Sequence, residues 1–305
     1  MNASGAAATT DSRNGVVGVV GLGAMGGRAA VALAAAGRDV VGYDVTPAVR
    51  ERVKAAGVRI ASNAAELTAM AGVVMLSLPG PADVLSAVDG LSTSASNRLV
   101  IDMSTIDPAT AREAAARLGR AGARYVDAPV LGRPAAVGSW TLVAGGDHTD
   151  VAETAEIAVG TIAKAVERVG TVGAGSTVKV LNNLMFGAIN AITAEVLDLA
   201  ERANLDPARF VEVVADSGAA TVSPLFRDVA PRMAHGDHTP VFSLALLQKD
   251  LRLGATLARQ LGAPADVTTV VERLTSAAVD VGHGGDDTSS LIEFHRSRRG
   301  HNSES

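Results

Sequence analysis

The chain has 305 residues, 48% hydrophobic but only 3% aromatic, with 32 glycines, no cysteine and a formal charge of -5. This length accommodates two cores, because a single core stops growing at roughly 250 to 300 residues, and apolar mass made of Ala, Val and Leu suits helices packed on buried parallel strands. The negative charge provides no general attraction to nucleic acid or to an anionic membrane surface, and the lack of cysteine excludes disulfides and thiolate chemistry, which is compatible with a cytoplasmic location.

Residues 1–14 have no basic region followed by an apolar core, so they read as a disordered tail and not as a signal peptide. From Val16 to Val169, short β-branched runs alternate with Ala-rich helical stretches, the pattern of repeated βαβ units. Strands are predicted at Val16–Val20, Asp39–Tyr43, Val73–Leu78, Leu99–Met103 and Tyr125–Ala128, and a further pair at Thr141–Ala144 and Ala165–Val169 extends the sheet. Between them, Gly37 and Gly57 stand where helix C-terminal caps belong, and Pro47, Pro81 and Pro108 where first turns belong. The expected fold class is α/β, a Rossmann-type doubly wound parallel sheet over residues 15–173. After Gly173 the strand-like runs stop, and helices are predicted from Ser176 to Ala203, Pro207 to Ala215, Leu244 to Leu261 and Ala265 to Val281. These form a second, all-helical domain over residues 174–296, followed by a frayed tail at 297–305. The longest early apolar stretch, Val16 to Gly27, falls short of the ~20 residues a membrane span requires, and no span is expected.

The first strand runs into Gly21-Leu22-Gly23-Ala24-Met25-Gly26. GxGxxG alone is a weak signal in a glycine-rich chain. Here it follows a strand, opens a helix and is answered by Asp44 at the end of the second strand, the spacing of a dinucleotide-binding unit. Gly21 permits the tight turn, Gly23 lets the backbone approach a pyrophosphate, Gly26 lets helix and strand pack closely, and the helix N-terminus attracts the negative charge. Asp44 is placed to accept hydrogen bonds from the adenosine ribose. A carboxylate there repels a 2′-phosphate, and neither Val45 nor Thr46 offsets it, so the expected cofactor is NAD; Arg50, within reach across the helix start, keeps NADP open. Two more loops, Leu78-Pro79-Gly80-Pro81 and Asp102-Met103-Ser104-Thr105, end predicted strands where doubly wound sheets bind ligands. Read by themselves, they fit loop prolines and N-caps equally well.

Gly175, Lys179 and Asn183 recur every fourth residue, along one face of a helix. Reducing a carbonyl with hydride leaves an alkoxide that needs a proton, and lysine can supply it or, in reverse, remove it. A helical lysine is most often a solvated charge; what singles out Lys179 is its apolar neighbours Val178, Val180 and Leu181 and its place at the predicted domain boundary. Lys249-Asp250 is a second such candidate, although alone it reads as an ordinary surface pair. His235-Gly236-Asp237-His238 is the one dense His/Asp cluster, and its glycine and loop surroundings read as a surface turn, so no metal site is expected.

Taken together, GLGAMG (Gly21 to Gly26), DAPV (Asp127 to Val130), GTVGAGSTVKVLNN (Gly170 to Asn183) and KDL (Lys249 to Leu251) resemble the β-hydroxyacid dehydrogenase family, with the likeness running from Val16 to about Phe294. The resemblance implies a Rossmann domain, an all-helical domain that builds homodimers or homotetramers, and a catalytic site between them. It also implies Lys179 as catalytic acid/base, Asn183 as the residue orienting the substrate, and Lys249 as a contact to cofactor or substrate. Leu78, Pro79, Asp83 and Thr105 match positions lining the nicotinamide cofactor in similar enzymes. One segment departs from the family: many members continue DAPV with Ser-Gly-Gly, whereas this chain has Leu131-Gly132-Arg133-Pro134 and is about two residues shorter up to Gly138. Arg133 is expected to anchor an acidic head group through a two-pronged contact. The expected function is hydride transfer between NAD(H) and a short 3-hydroxy acid or its semialdehyde. The alternatives are an imine reductase of similar fold, whose members generally lack the lysine, and a non-catalytic cofactor-binding protein.

Overall fold

The computed structural model describes residues 15–298. The tail expected at 1–14 lies outside them, as does most of the tail expected at 297–305. The chain divides into two compact units, one through Lys179 and one from Val180 onward.

In the first unit, nine strands form one sheet: β1 (Val16–Val20), β2 (Asp39–Tyr43), β3 (Arg59–Ile60), β4 (Val73–Leu76), β5 (Leu99–Asp102), β6 (Arg124–Asp127), β7 (Val130–Leu131), β8 (Trp140–Gly145) and β9 (Ala163–Gly170). Their order is β3-β2-β1-β4-β5-β6-β8-β7, with β9 paired to β8. The run from β3 to β6 is parallel throughout, and the antiparallel pairs lie where β8 meets β6 and β7. This is the doubly wound order, with the direction of winding reversing between β1 and β4. Parallel strands are covered on both faces and must therefore be apolar throughout: Val17 and Val19 point into one core with Leu33 and Met75, while Val20, Val74 and Leu76 point into the other with Leu67 and Val88. Helices α1 (Gly26–Ala35), α2 (Pro47–Ala55), α3 (Ala64–Met70), α4 (Pro81–Leu91), α5 (Pro108–Arg120) and α6 (His148–Ala158) cover the two faces.

The predicted strands at Val16–Val20 and Asp39–Tyr43 have the predicted bounds. The third strand ends earlier than predicted, at Leu76, because the Leu78 N–H leaves the ladder and donates to Ser104 Oγ at 2.9 Å. The two-residue strands β3 and β7, together with α3 and α6, have no counterpart in the sequence prediction.

The second unit is helical: α7 (Ala174–Arg202) from Val180 onward, α8 (Pro207–Asp216), α9 (Pro224–His235), α10 (Leu244–Leu261), α11 (Asp266–Asp280) and α12 (Leu291–Ser297). Ala194, Leu197, Leu244, Leu247, Leu251 and Leu291 are fully buried in its core. α7 and α10 approach closely where each carries a glycine: a Cβ on Gly187 would lie 2.9 Å from Leu251 Cδ2, and one on Gly254 would overlap the Leu184 side chain. Helices α9 and α12 are additional to those predicted, and Ser297, placed in the frayed tail by the sequence, closes α12. By length and composition, α7 is the one helix among the described residues that could cross a membrane, and 44% of its most apolar stretch is buried inside the fold.

Candidate active site

The glycine segment connects β1 to α1. Gly21 has φ +87°, a left-handed conformation that glycine adopts without strain. A Cβ there would overlap the Ser77 carbonyl, and one on Gly26 would overlap the Gly21 carbonyl and lie 2.9 Å from Ser77 Cβ. These two glycines are therefore needed to close β1 and β4 against α1. Gly23 is different: a Cβ there would meet nothing within 4 Å. The loop thus leaves open the one position at which a pyrophosphate is expected to approach. Leu22 is buried, Gly23 and Ala24 are exposed, and Met25 precedes α1, which has no side-chain cap to compete with an anion for its N-terminal N–H groups.

Asp44, just past β2, accepts from the Leu22 N–H through Oδ2 at 2.8 Å and from the Thr46 N–H through Oδ1 at 2.8 Å. Two carboxylate oxygens carry about four acceptor sites, so capacity remains for ribose hydroxyls. Arg50 donates to the Asp44 carbonyl at 2.7 Å, and Arg52 donates to the Leu22 carbonyl at 3.0 Å. Both arginines therefore brace the β2 end and the glycine loop through main-chain oxygens. These residues fit a dinucleotide.

The loops after β4 and β5 are held together from below. Ser104 Oγ accepts from Leu78 N–H, and the Ser104 N–H donates to Asp102 Oδ1 at 2.8 Å; the other Asp102 oxygen accepts from the Tyr125 hydroxyl at 2.9 Å. Burial raises the Asp102 carboxyl above its ordinary value, while the bonds from Ser104 and Tyr125 pull the other way. Pro79 is exposed, Thr105 half-buried, and Asp83 lies exposed in the first turn of α4.

The DAPV and GTVGAGSTVK segments are joined through Asp127. Its Oδ1 accepts from the Gly173 N–H at 2.7 Å and its Oδ2 from the Ser176 N–H at 2.7 Å, so a strand carboxylate caps the N-terminus of α7. Burial raises its pKa to about 6 against these donors. Gly175 permits the approach: a Cβ on it would lie 2.6 Å from the Asp127 carbonyl oxygen. With α7 fixed in this way, Lys179 Nζ donates to the Val130 carbonyl at 2.9 Å. The ammonium therefore sits beside the start of the Leu131-Gly132-Arg133 loop. That loop is anchored by fully buried Trp140, whose indole N–H donates to the Arg133 carbonyl at 2.7 Å. A Cβ on Gly132 would lie 2.6 Å from the Trp140 ring. Gly132 and Arg133 are exposed and Leu131 is half-buried.

In the second unit, buried Asn183 donates through Nδ2 to Asp250 Oδ2 at 2.5 Å, and Lys249 Nζ pairs with Asp250 Oδ1 at 2.8 Å. Asp250, 2% exposed, thus gathers two of the predicted site residues and is not a surface partner. The Lys249-Asp250 pair was visible in the sequence; the reach of Asp250 to Asn183, 67 residues away, was not. Asp127 and Ser104 lie in segments singled out in the sequence without a role of their own, and Trp140 carries no sequence signal there. His235 ends α9 and residues 236–238 form the turn after it, with Gly236 as the left-handed cap and Asp237 paired to Arg232 at 3.4 Å. Among the described residues, no group of three His, Asp or Glu side chains is arranged to hold a metal.

Two family models match. Residues 16–173 match the NAD-binding domain of 6-phosphogluconate dehydrogenase, and residues 173–295 match the NAD-binding segment of NADP-dependent 3-hydroxyisobutyrate dehydrogenase. An L-threonate dehydrogenase of Cupriavidus necator is 33% identical over 93% of this chain and 96% of its own length. A probable mitochondrial 3-hydroxyisobutyrate dehydrogenase of Dictyostelium discoideum is 31% identical over 93% of this chain and 91% of its own. A crystal structure of a Salmonella typhimurium 3-hydroxyisobutyrate dehydrogenase superimposes with a TM-score of 0.83 at 31% identity, covering 91% of this chain and 99% of that one.

Proposed function

We propose, starting from the fact that this chain belongs to the β-hydroxyacid dehydrogenase family, that it interconverts a short 3-hydroxy acid and its semialdehyde with NAD(H). Family membership makes it an NAD(P)-dependent oxidoreductase acting on the hydroxyl of a small molecule; the acid, the preference for NAD and the residue roles are our reading. The observation that carries it is Lys179 Nζ held 2.9 Å from the Val130 carbonyl, at the mouth of the loop that presents Arg133.

When bound, the nicotinamide accepts or supplies the hydride. Gly21 to Gly26 and the α1 N-terminus receive its pyrophosphate, Asp44 takes the adenosine ribose, and Leu78, Pro79, Asp83, Thr105 and Lys249 line its remaining length. Lys179 removes the proton from the substrate hydroxyl during oxidation and returns it to the alkoxide during reduction. Arg133 binds the acidic head group with its planar fork, aided by Leu131 and Gly132, and Asn183 orients the reacting carbon's oxygen. Asp127 and Asp250 are positioning residues: the first fixes the helix start that aims Lys179, the second holds the Asn183 amide. The engaged Asp44 carboxylate disfavours a 2′-phosphate, and Arg50 is bonded to main-chain carbonyls beside it, which supports NAD over NADP.

Assembly as a homodimer or homotetramer belongs to the same reading. It is supported by the exposed apolar side chains of Leu181, Met185, Ile192 and Leu199 along α7, with Met185 67% exposed, and light scattering on the purified protein reads the oligomer directly. A cytoplasmic location suits a chain with no cysteine to cross-link. The function is tested by measuring reduction of NAD, with NADP in parallel, on 3-hydroxyisobutyrate, 3-hydroxypropionate, D- and L-glycerate and L-threonate. A strong rate with one acid and NAD is expected; turnover of none of them by a protein that binds NAD would reject the substrate class.

A further inference from the structure

At the end of the strands opposite the glycine loop, the first unit contains a cavity of about 880 Å³ below the starts of β4, β5 and β6. Three arginines, Arg38, Arg98 and Arg124, line it together with two carboxylates, Glu153 and Glu156. Two of the arginines are committed. Arg124 pairs with Asp150 at 2.7 Å and with Glu153 at 2.6 Å, and Arg38 donates to the Glu156 carbonyl at 2.7 Å. Arg98 is not. It is only 7% exposed, yet its side chain makes a single long hydrogen bond, from Nε to the Thr68 carbonyl at 3.4 Å, and it has no ion pair among the described residues. Its position is fixed by its main chain, since its N–H donates to the Ala95 carbonyl at 2.9 Å and its carbonyl accepts from the Arg124 N–H at 2.8 Å. The turn before it passes through Asn97 in the left-handed region, at φ 59°.

A guanidinium withdrawn from water without a carboxylate beside it is costly, and buried charges are as a rule paired. None of the Arg98 nitrogens is among the fully enclosed polar atoms that lack a partner, so the guanidinium keeps some open surface, and Arg98 is one of the residues that line the cavity. The Ser94 and Ser96 side chains and the Asn97 amide border the same space and make no hydrogen bond with other side chains among the described residues. The cavity volume lies within the range of small-molecule sites.

We infer that this cavity is a second ligand site, separate from the cofactor loop, in which Arg98 receives the oxyanion head group of a small molecule, a phosphate or a carboxylate, through its two-pronged donor set. Ser94, Ser96 and Asn97 supply further donors at the rim.

The test is calorimetric titration of the full chain, saturated with NAD to block the pyrophosphate loop, using inorganic phosphate in one arm and malonate in the other. Saturable binding of at least one anion is expected, and the anion that binds identifies the head group. Arg98→Gln should weaken it about tenfold or more, the loss of a charge-assisted contact, with both proteins carrying Arg133→Ala in this comparison so that the substrate loop contributes no anion binding. Ser96→Glu, at an exposed rim position, should weaken it similarly by placing a negative charge at the mouth. Absence of saturable binding of either anion, or wild-type affinity in Arg98→Gln, overturns the inference; if Arg98→Gln does not fold, wild-type affinity in Ser96→Glu does so.

Discussion

Two alanine substitutions three residues apart in the glycine loop should have opposite consequences. In Gly26→Ala, the new methyl falls inside van der Waals contact with the Gly21 carbonyl and 2.9 Å from Ser77 Cβ, both on rigid backbone, so β1, β4 or α1 must shift. Forced overpacking against backbone costs about 3 kcal/mol or more, which for a unit of this size lowers Tm by about 6 °C or more. In Gly23→Ala, the methyl meets nothing within 4 Å, and Gly23 is not among the glycines with left-handed φ. Folding should then be unaffected or favoured by up to about 1 kcal/mol, through the stiffer unfolded chain. The same methyl takes the space through which a pyrophosphate reaches the loop, and losing one charge-assisted bond there weakens NAD by about tenfold to a hundredfold. Thermal unfolding of the ligand-free proteins and fluorescence titration with NAD separate the two effects. A Gly26→Ala protein as stable as wild type would refute the packing argument, and a Gly23→Ala protein with wild-type NAD affinity would refute the assignment of the loop.

Lys179→Ala should lower kcat by about two to four orders of magnitude while leaving NAD affinity nearly intact, as expected when general acid/base catalysis is lost; stopped-flow turnover beside an NAD titration decides it. Asp250→Ala, which releases both Asn183 and Lys249, should reduce kcat more than it reduces stability, and equal activity in steady-state assays would remove Asp250 from the positioning scheme. Asp127 gives a pH dependence: its folded pKa of about 6 lies above the ordinary 3.8, so its contribution is fully present below pH 3.8 and is lost as pH rises through 6. The shift corresponds to about 3 kcal/mol. Urea midpoints of wild type should therefore fall relative to Asp127→Asn between pH 4 and 7, and parallel profiles would count against the buried carboxylate. Trp140→Phe removes the donor to the Arg133 carbonyl and should raise KM for the acid while kcat changes little.

The parts of the candidate site most legible in the sequence are those set by backbone geometry at constant spacing. Gly21, Gly23, Gly26 and Asp44 could be read because a turn, a helix start and the end of the next strand recur at set intervals. Lys179 and Asn183 could be read because helical periodicity placed them on one face. What escaped was held by contacts distant in sequence: Asp127 to Ser176, Tyr125 to Asp102, and Asn183 to Asp250. The short strands β3 and β7 escaped for a different reason, since two residues carry no alternation. α3 did leave a local signal, Asn63 followed by Glu66, and the structure uses it: Asn63 Oδ1 accepts from the Glu66 N–H at 2.8 Å, and Glu66 accepts from the Ser62 N–H at 2.7 Å.

The bonds from Trp140 and Lys179 to the Val130–Arg133 segment both end on main-chain oxygens. A carbonyl is present whatever the residue, so this stretch resembles a socket into which different side chains can be fitted while the mounting remains the same. Gly132 is the fixed pin, because the indole leaves no space for a methyl. Leu131 and Arg133 are the exchangeable parts. On the proposed reading of this loop as the acid-binding segment, an engineer seeking a new substrate for this scaffold would randomise those two positions first and leave Trp140 and Gly132 untouched.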